Sequence, residues 1–325
     1  MRTCDEEGPW QKPQRTKTQH YVPQLILRGF TNEAGLLCCF DKVYDTTRTT
    51  STKAAAQEPY FYEVPAVEEN LIENFLRDLE RTWKPMLVDL IKSADAGHIT
   101  DKQILEFSPF LVLQWMRTKT MRDISRESIN KHIQSMMDTT LALNNMAGQV
   151  QAGLKEEALV GVHIKQILDL DMIEKMSTCL ECHYWVVGIN ESDHPFYTSD
   201  HPVVLRANLY DGARLMFGPR DPGIEFAFPL DSRHILLILE RSHFAEWKKH
   251  NNKSVVLNAQ QIRDYNGLQV LRSCQRVYCA KNDFDLAREL CAARPEIRDS
   301  NRPRVQVITT PVKGMKNQII MLPME

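Results

Sequence analysis

The spacing of apolar residues changes once along the chain, near Cys182, and that change limits the fold to one that keeps helices and strands in separate stretches. Before it, Leu71, Ile72, Phe75, Leu76, Leu79, Trp83, Leu87, Leu90 and Ile91 recur at the period of an amphipathic helix, with Pro85 as a bend. Thr100 with Gln103 forms a capping box, which predicts a second helix running through Trp115 towards Met137. The stretch 140–176, interrupted by Gly148, Gly153 and Gly161, stays closer to helix than to strand. After Cys182 the signature becomes short runs of β-branched and aromatic residues at 184–189, 203–205, 225–228 and 234–239, punctuated by Pro, Gly, Asp and Asn. Most gaps between them are too short for a crossover, so antiparallel pairing is expected. Ser242 is read as the cap of a helix reaching His250, and Asn258 with Gln261 as the cap of another reaching Leu271. A last strand at 277–279 and a short helix at 285–291 complete this half.

The first 18 residues are polar and aperiodic, and read as a flexible arm. Pro23 at a first helical position and Gly29 as a stop predict a short helix over 23–30. Residues 35–44 read as a small hairpin, reversing at Asp41-Lys42 and returning from Val43-Tyr44. The expected whole is a single α+β domain over 19–325. In it a helical subdomain, 66–176, is inserted between a small N-terminal element and a mostly antiparallel main sheet.

Composition narrows the function by exclusion. Lys and Arg number 40 against 42 Asp and Glu, so no overall field favours a polyanion. The longest clean apolar run, Ile235 to Leu239, is far short of a membrane helix, and the N-terminus is charged where an export signal would be apolar. Eight cysteines, two of them the adjacent Cys38-Cys39, are too few for a disulfide scaffold. A soluble, cytoplasmic protein with reduced thiols is expected.

Several motifs carry potential chemistry. Cys179-Leu180-Glu181-Cys182-His183 has the form of a haem attachment string, but the chain shows no export signal and His183 leads into an apolar strand, so ordinary packing is preferred. No second Cys-x-x-Cys exists to complete a structural zinc site. Arg126 and His132 share a helix, yet six positions at 100° place them about 240° apart around its axis. Ser-Asp-His-Pro occurs twice, at 192–195 and 199–202, and its two Asp and two His can serve as metal ligands, as an acid–base pair or simply as turn formers. Gln114 and Arg117 lie three apart among apolar residues. A guanidinium withdrawn from water needs an anion or a carbonyl, and Asp200 or a ligand phosphate are the two candidates weighed. His20, just before a helix start, is either tied to backbone or a proton carrier.

HYVPQLILRGF at 20–30, QWMRTKTMRD at 114–123, FYTSDHPVVL at 196–205 and FPLDSRHILLI at 228–238 together resemble the domain of unknown function 4238 over roughly 20–290. The resemblance implies no activity. It implies which positions to suspect: His20, Tyr21, Pro23 and Gln24, Arg117, Ser199 and Asp200, and Asn266 in the capped helix. His201 stands where that family's pattern often has another polar residue. Two functions follow. One is a phosphodiester-hydrolysing, nuclease-like enzyme of toxin or defence type acting on nucleic acid or a nucleotide. In it His20, Asp200 and Arg117 are catalytic, Gln24, Gln114, Ser199 and Asn266 bind substrate, no metal is assigned and the cofactor is open. The other is a non-catalytic ligand-binding or regulatory domain, whose polar cluster braces the fold. An open cleft shared by His20, Arg117 and Asp200 favours the first, and a closed, fully hydrogen-bonded cluster the second.

Overall fold

A computed structural model describes residues 18–64, 68, 70–142, 148–209, 218–310 and 318–323; the expected arm lies, but for Thr18, outside them. The chain opens with β1 (Thr18–His20), then α1 (Gln24–Leu27) running into a 3-10 turn (Arg28–Phe30). The hairpin follows as β2 (Leu37–Asp41) and β3 (Thr46–Thr50), and β4 (Gln57–Pro59) pairs antiparallel with β1. The reversal lies at 42–45, with Asp45 at φ 52°, so Val43-Tyr44 belong to the turn and the return begins at Thr46. Lys42 is fully buried, because its Nζ donates to Val270 O at 2.8 Å and Ser273 O at 3.0 Å.

The helical block comprises α2 (Leu71–Asp95), α3 (Asp101–Met116), α4 (Lys119–Ala142), α5 (Glu156–Leu168) and α6 (Leu170–Glu181). The Thr100 capping box is formed in both directions, and α2 runs uninterrupted through Pro85. The expected second helix is two helices, broken at Arg117-Thr118. Arg117 N closes α3 on Leu113 O at 2.9 Å, and Thr118 Oγ1 accepts from Met121 N at 3.4 Å, which starts α4 with no Gly or Pro to mark the break.

The second half holds β5 (Tyr184–Ile189), β6 (Thr198–Ser199), β7 (Val204–Ala207), β8 (Ile224–Pro229), β9 (His234–Leu239), β10 (Lys253–Val256), α7 (Ala259–Arg272), β11 (Arg276–Cys279), α8 (Asp285–Ala293), β12 (Val305–Thr310) and β13 (Gln318–Pro323). The five-stranded main sheet has the order β10-β5-β9-β8-β7 and is antiparallel except for β10 on β5. A second sheet, β3-β2-β11-β6, joins the N-terminal hairpin to strands from the far end of the chain. The fold is therefore α+β with a predominantly antiparallel sheet and a helical block. Two further expectations need correction. Ser242 does not cap a helix: its N and Oγ bind Glu240, and a 3-10 segment (Ala245–His250) replaces the helix. The strand expected to be last, β11, is followed by the β12–β13 pair.

Every residue of β8 and β9 is buried, so both faces are covered. The helical block reaches the sheet through aromatic rings: Phe107 and Phe110 lie 6.4 and 6.0 Å from Phe228, and Trp115 meets Phe226 edge-on at 5.7 Å. Burying each such side chain stabilises the fold by roughly 1.5–3 kcal/mol. Gly29 is fixed by close approach rather than by helix termination. A Cβ there would stand 2.8 Å from Asp231 Cβ, where Ser232 N and Oγ both donate to Gly29 O. Among the described residues no helix is long and apolar enough to cross a membrane.

Candidate functional site

Gln114 and Arg117, three positions apart near the end of α3, grip two consecutive peptide units of the first motif. Gln114 Nε2 donates to Tyr21 O at 3.1 Å, and Arg117 Nη2 donates to His20 O at 2.7 Å. The rest of the guanidinium is also committed: Nη1 to Glu80 Oε1 at 2.9 Å and Nε to Tyr62 Oη at 3.3 Å. Arg117 is 1% exposed. Burial alone would lower its pKa, but the Tyr62 hydroxyl and the Glu80 carboxylate reverse that and hold it above the ordinary arginine value. Its internal partner is thus Glu80 and not Asp200. The His20 ring sits half-buried with Nε2 3.0 Å from Lys53 O, and burial lowers its pKa, so it is neutral at pH 7. Gln24 Oε1 accepts a long 3.5 Å bond from Thr52 Oγ1. Gln114 Oε1 finds no partner among the described residues.

The third motif forms its own ligand set. Asp200, 1% exposed, accepts from three successive backbone amides: Cys274 N on Oδ1 at 2.7 Å, and Gln275 N and Arg276 N on Oδ2 at 2.7 and 2.8 Å. These amides lead from the end of α7 into β11, so the carboxylate sets the turn that delivers β11 to its sheet. Ser199 Oγ donates to Gln269 Oε1 at 2.7 Å, while Gln269 Nε2 donates to Pro202 O at 2.9 Å. Asn266 Oδ1 accepts from Tyr197 N at 2.8 Å, and its Nδ2 donates to Pro195 O at 3.1 Å. Together Asn266 and Gln269 on α7 hold the backbone from 195 to 202 in place.

A buried histidine links the two sets. His201 Nδ1 shares a 2.8 Å hydrogen bond with Thr118 Oγ1, next to Arg117. Full burial, helped by Arg304 and Arg272, pushes its pKa down to about 3, so it is a neutral spacer. The result is a polar seam running from β1 through the α3–α4 break to the β6–β11 edge. His20 and Arg117 meet through the His20 carbonyl rather than the imidazole, and Asp200 belongs to the other end. Glu80, Tyr62, Thr118 and Gln269 complete the seam and are absent from the sequence reading. Two of them left a signal. Glu80 interrupts the apolar face written by Ile72, Leu76, Trp83 and Leu87, and Gln269 continues the face written by Ile262, Tyr265 and Asn266.

The remaining motifs are structurally ordinary. The first Ser-Asp-His-Pro copy is exposed, with His194 Nδ1 3.0 Å from Asp283, and the second is the buried seam segment. Among the described residues no group of three or more His, Cys, Asp or Glu is arranged to hold a metal ion. Cys179 Sγ accepts from Arg220 Nε at 3.1 Å, Cys182 is exposed, and His183 Nε2 lies 2.6 Å from Pro219 O. Arg126 pairs with Asp123 and Glu156, not with His132.

No curated protein and no solved structure matches the chain. A family model described as "Protein of unknown function (DUF4238)" matches residues 18–283, which takes in both sheets joined by the seam and every seam residue named above. The chain therefore belongs to the DUF4238 family.

Proposed function

We propose that the protein is a binding or regulatory domain in which the His20–Arg117–Asp200 seam is a brace, not a reaction centre. One observation carries this reading: Asp200 is 1% exposed and both its oxygens accept from the amides of 274–276, so three of its roughly four acceptor positions serve the main chain rather than a base or a metal. The engagement of all three Arg117 guanidinium nitrogens, with Tyr62, Glu80 and the His20 carbonyl, supports it too, since a phosphate would have to displace the Arg117–Glu80 ion pair.

The hydrolase reading keeps one favourable observation, the neutral and partly accessible His20 imidazole, which has the protonation state of a general base. In that reading Asp200 orients the base, Arg117 and Gln24 hold the phosphate, Gln114, Ser199 and Asn266 line the substrate, and the partner is a nucleic acid or nucleotide. A screen of nuclease and nucleotide hydrolysis on wild type, His20→Ala and Asp200→Asn, run beside thermal unfolding, separates the two. The brace predicts no turnover in any form, a lower melting temperature for Asp200→Asn and a nearly unchanged one for His20→Ala, which keeps the carbonyl that Arg117 holds. Turnover by wild type that vanishes in His20→Ala at unchanged melting temperature would overturn it.

A further inference from the structure

A pocket of about 150 Å³ opens where β7, β8 and β9 meet α7 and the 3-10 segment, and it shares no residue with the seam. Its lining includes the Glu225 side chain, 1% exposed. Glu225 Oε2 accepts from Arg206 Nε at 2.8 Å, Arg206 Nη2 at 2.7 Å and Asn208 Nδ2 at 3.0 Å, and Oε1 accepts from Tyr265 Oη at 2.6 Å. Phe244, Trp247 and Tyr265 supply aromatic walls. Three lining groups remain unspent among the described residues. Arg206 Nη1 makes no bond. Gln261 Nε2 makes no bond, while its Oε1 is committed to the capping box of α7, accepting from Asn258 N at 3.0 Å. Asp264 Oδ2 is free while Oδ1 accepts from Gln260 Nε2 at 2.7 Å.

Size, charge and hydrogen bonding together restrict what fits. A cavity of roughly 150 Å³ holds one benzene-sized ring. Arg206 and Glu225 offset each other, so Asp264 leaves the lining net negative, which disfavours a phosphate or carboxylate. On the Tyr265 face an organic cation is disfavoured as well, because the Arg206 guanidinium already lies 5.6 Å from that ring. Two donors and one acceptor between aromatic walls match a flat ring that carries both kinds of group on its edge.

We propose that this pocket binds a neutral, planar, single-ring heterocycle of the pyrimidine-base kind. The inference goes beyond the binding-domain reading by giving it a second place and a ligand class, and it does not depend on the role of the seam. The test is calorimetric titration of the full chain with uracil and with cytosine, using benzoate, benzamidine and uridine monophosphate as charged comparisons. A base should bind saturably with a Kd on the order of 1 mM or tighter. Asp264→Asn, at an exposed position, should weaken that binding about tenfold with an unchanged melting temperature, and the nucleotide should bind at least about tenfold more weakly than its base. The proposal is overturned if neither base saturates by about 10 mM, if a charged comparison binds as tightly as the bases, or if Asp264→Asn leaves their affinity unchanged.

Discussion

Two places in the molecule are built from the same three groups, an arginine, a glutamate and a tyrosine hydroxyl: Arg117–Glu80–Tyr62 in the seam and Arg206–Glu225–Tyr265 in the pocket. In the seam the arginine is buried and every nitrogen has a partner. In the pocket the carboxylate is buried, the arginine side chain is one-third exposed (33%), and one guanidinium nitrogen is left over. Residue type alone therefore does not separate a brace from a binding site. What separates them is where the unspent hydrogen-bonding capacity lies, and whether it faces a space that a ligand can enter.

The largest expected effect is at the seam. Arg117→Leu strips Glu80, Tyr62 and the His20 carbonyl of their shared donor and should cost on the order of 3–5 kcal/mol in urea unfolding. A loss under about 1 kcal/mol would mean the seam is not a brace. Asp200→Asn keeps the shape but sets an NH₂ group against backbone amides, with an expected loss of about 2–3 kcal/mol.

Acid should destabilise the fold through its buried histidines. Burial lowers the pKa of the seam's His201 to about 3 and, beside the seam, that of His163 on α5, whose Nε2 lies 2.9 Å from Met116 O, to about 4, so the native state stays neutral where the unfolded chain takes up protons. Their stabilising contribution is complete above the ordinary histidine value of about 6.5. Below it, each should lose roughly 1–2 kcal/mol per pH unit as the pH falls towards those folded values. His201→Gln should flatten that slope in unfolding measured from pH 7 to 4, and an unchanged slope would contradict a buried neutral ring. The smallest effect is expected at the pocket mouth. Asp264→Asn should alter stability by less than about 0.5 kcal/mol while changing affinity for the base, the reverse of the seam variants.

Features specified within a few residues were legible in the sequence, and features specified across the chain were not. Both capping boxes, at Thr100 and Asn258, form as the spacing dictates, because each closes within one helical turn. The α3–α4 break carries no local breaker. It exists because Arg117 and Thr118 leave the helix to serve His20, Glu80 and His201, all at least 37 positions away. Asp200 is read from the sequence as a partner for Arg117 or a catalytic group, whereas its partners are three main-chain amides some 75 positions later, which no side-chain pattern announces. Lys42 opens the expected turn and, with Arg302, also closes the carbonyl end of α7. Burial and the neighbouring Arg302 bring its pKa down to about 7. β10 was missed because its four residues are half-exposed and short, and only pairing with β5 makes them a strand.

The position of β11 between β2 and β6 also has a consequence for synthesis. Asp41 and Arg276, which meet across β2 and β11, are 235 positions apart in the chain. At ordinary elongation rates roughly 10–50 s separate the emergence of the first from that of the second. Throughout that interval the nascent hairpin leaves the ribosome with one edge open. The strand that covers this edge is synthesised together with the residues whose amides Asp200 holds, so closing this sheet joins two segments made far apart in time.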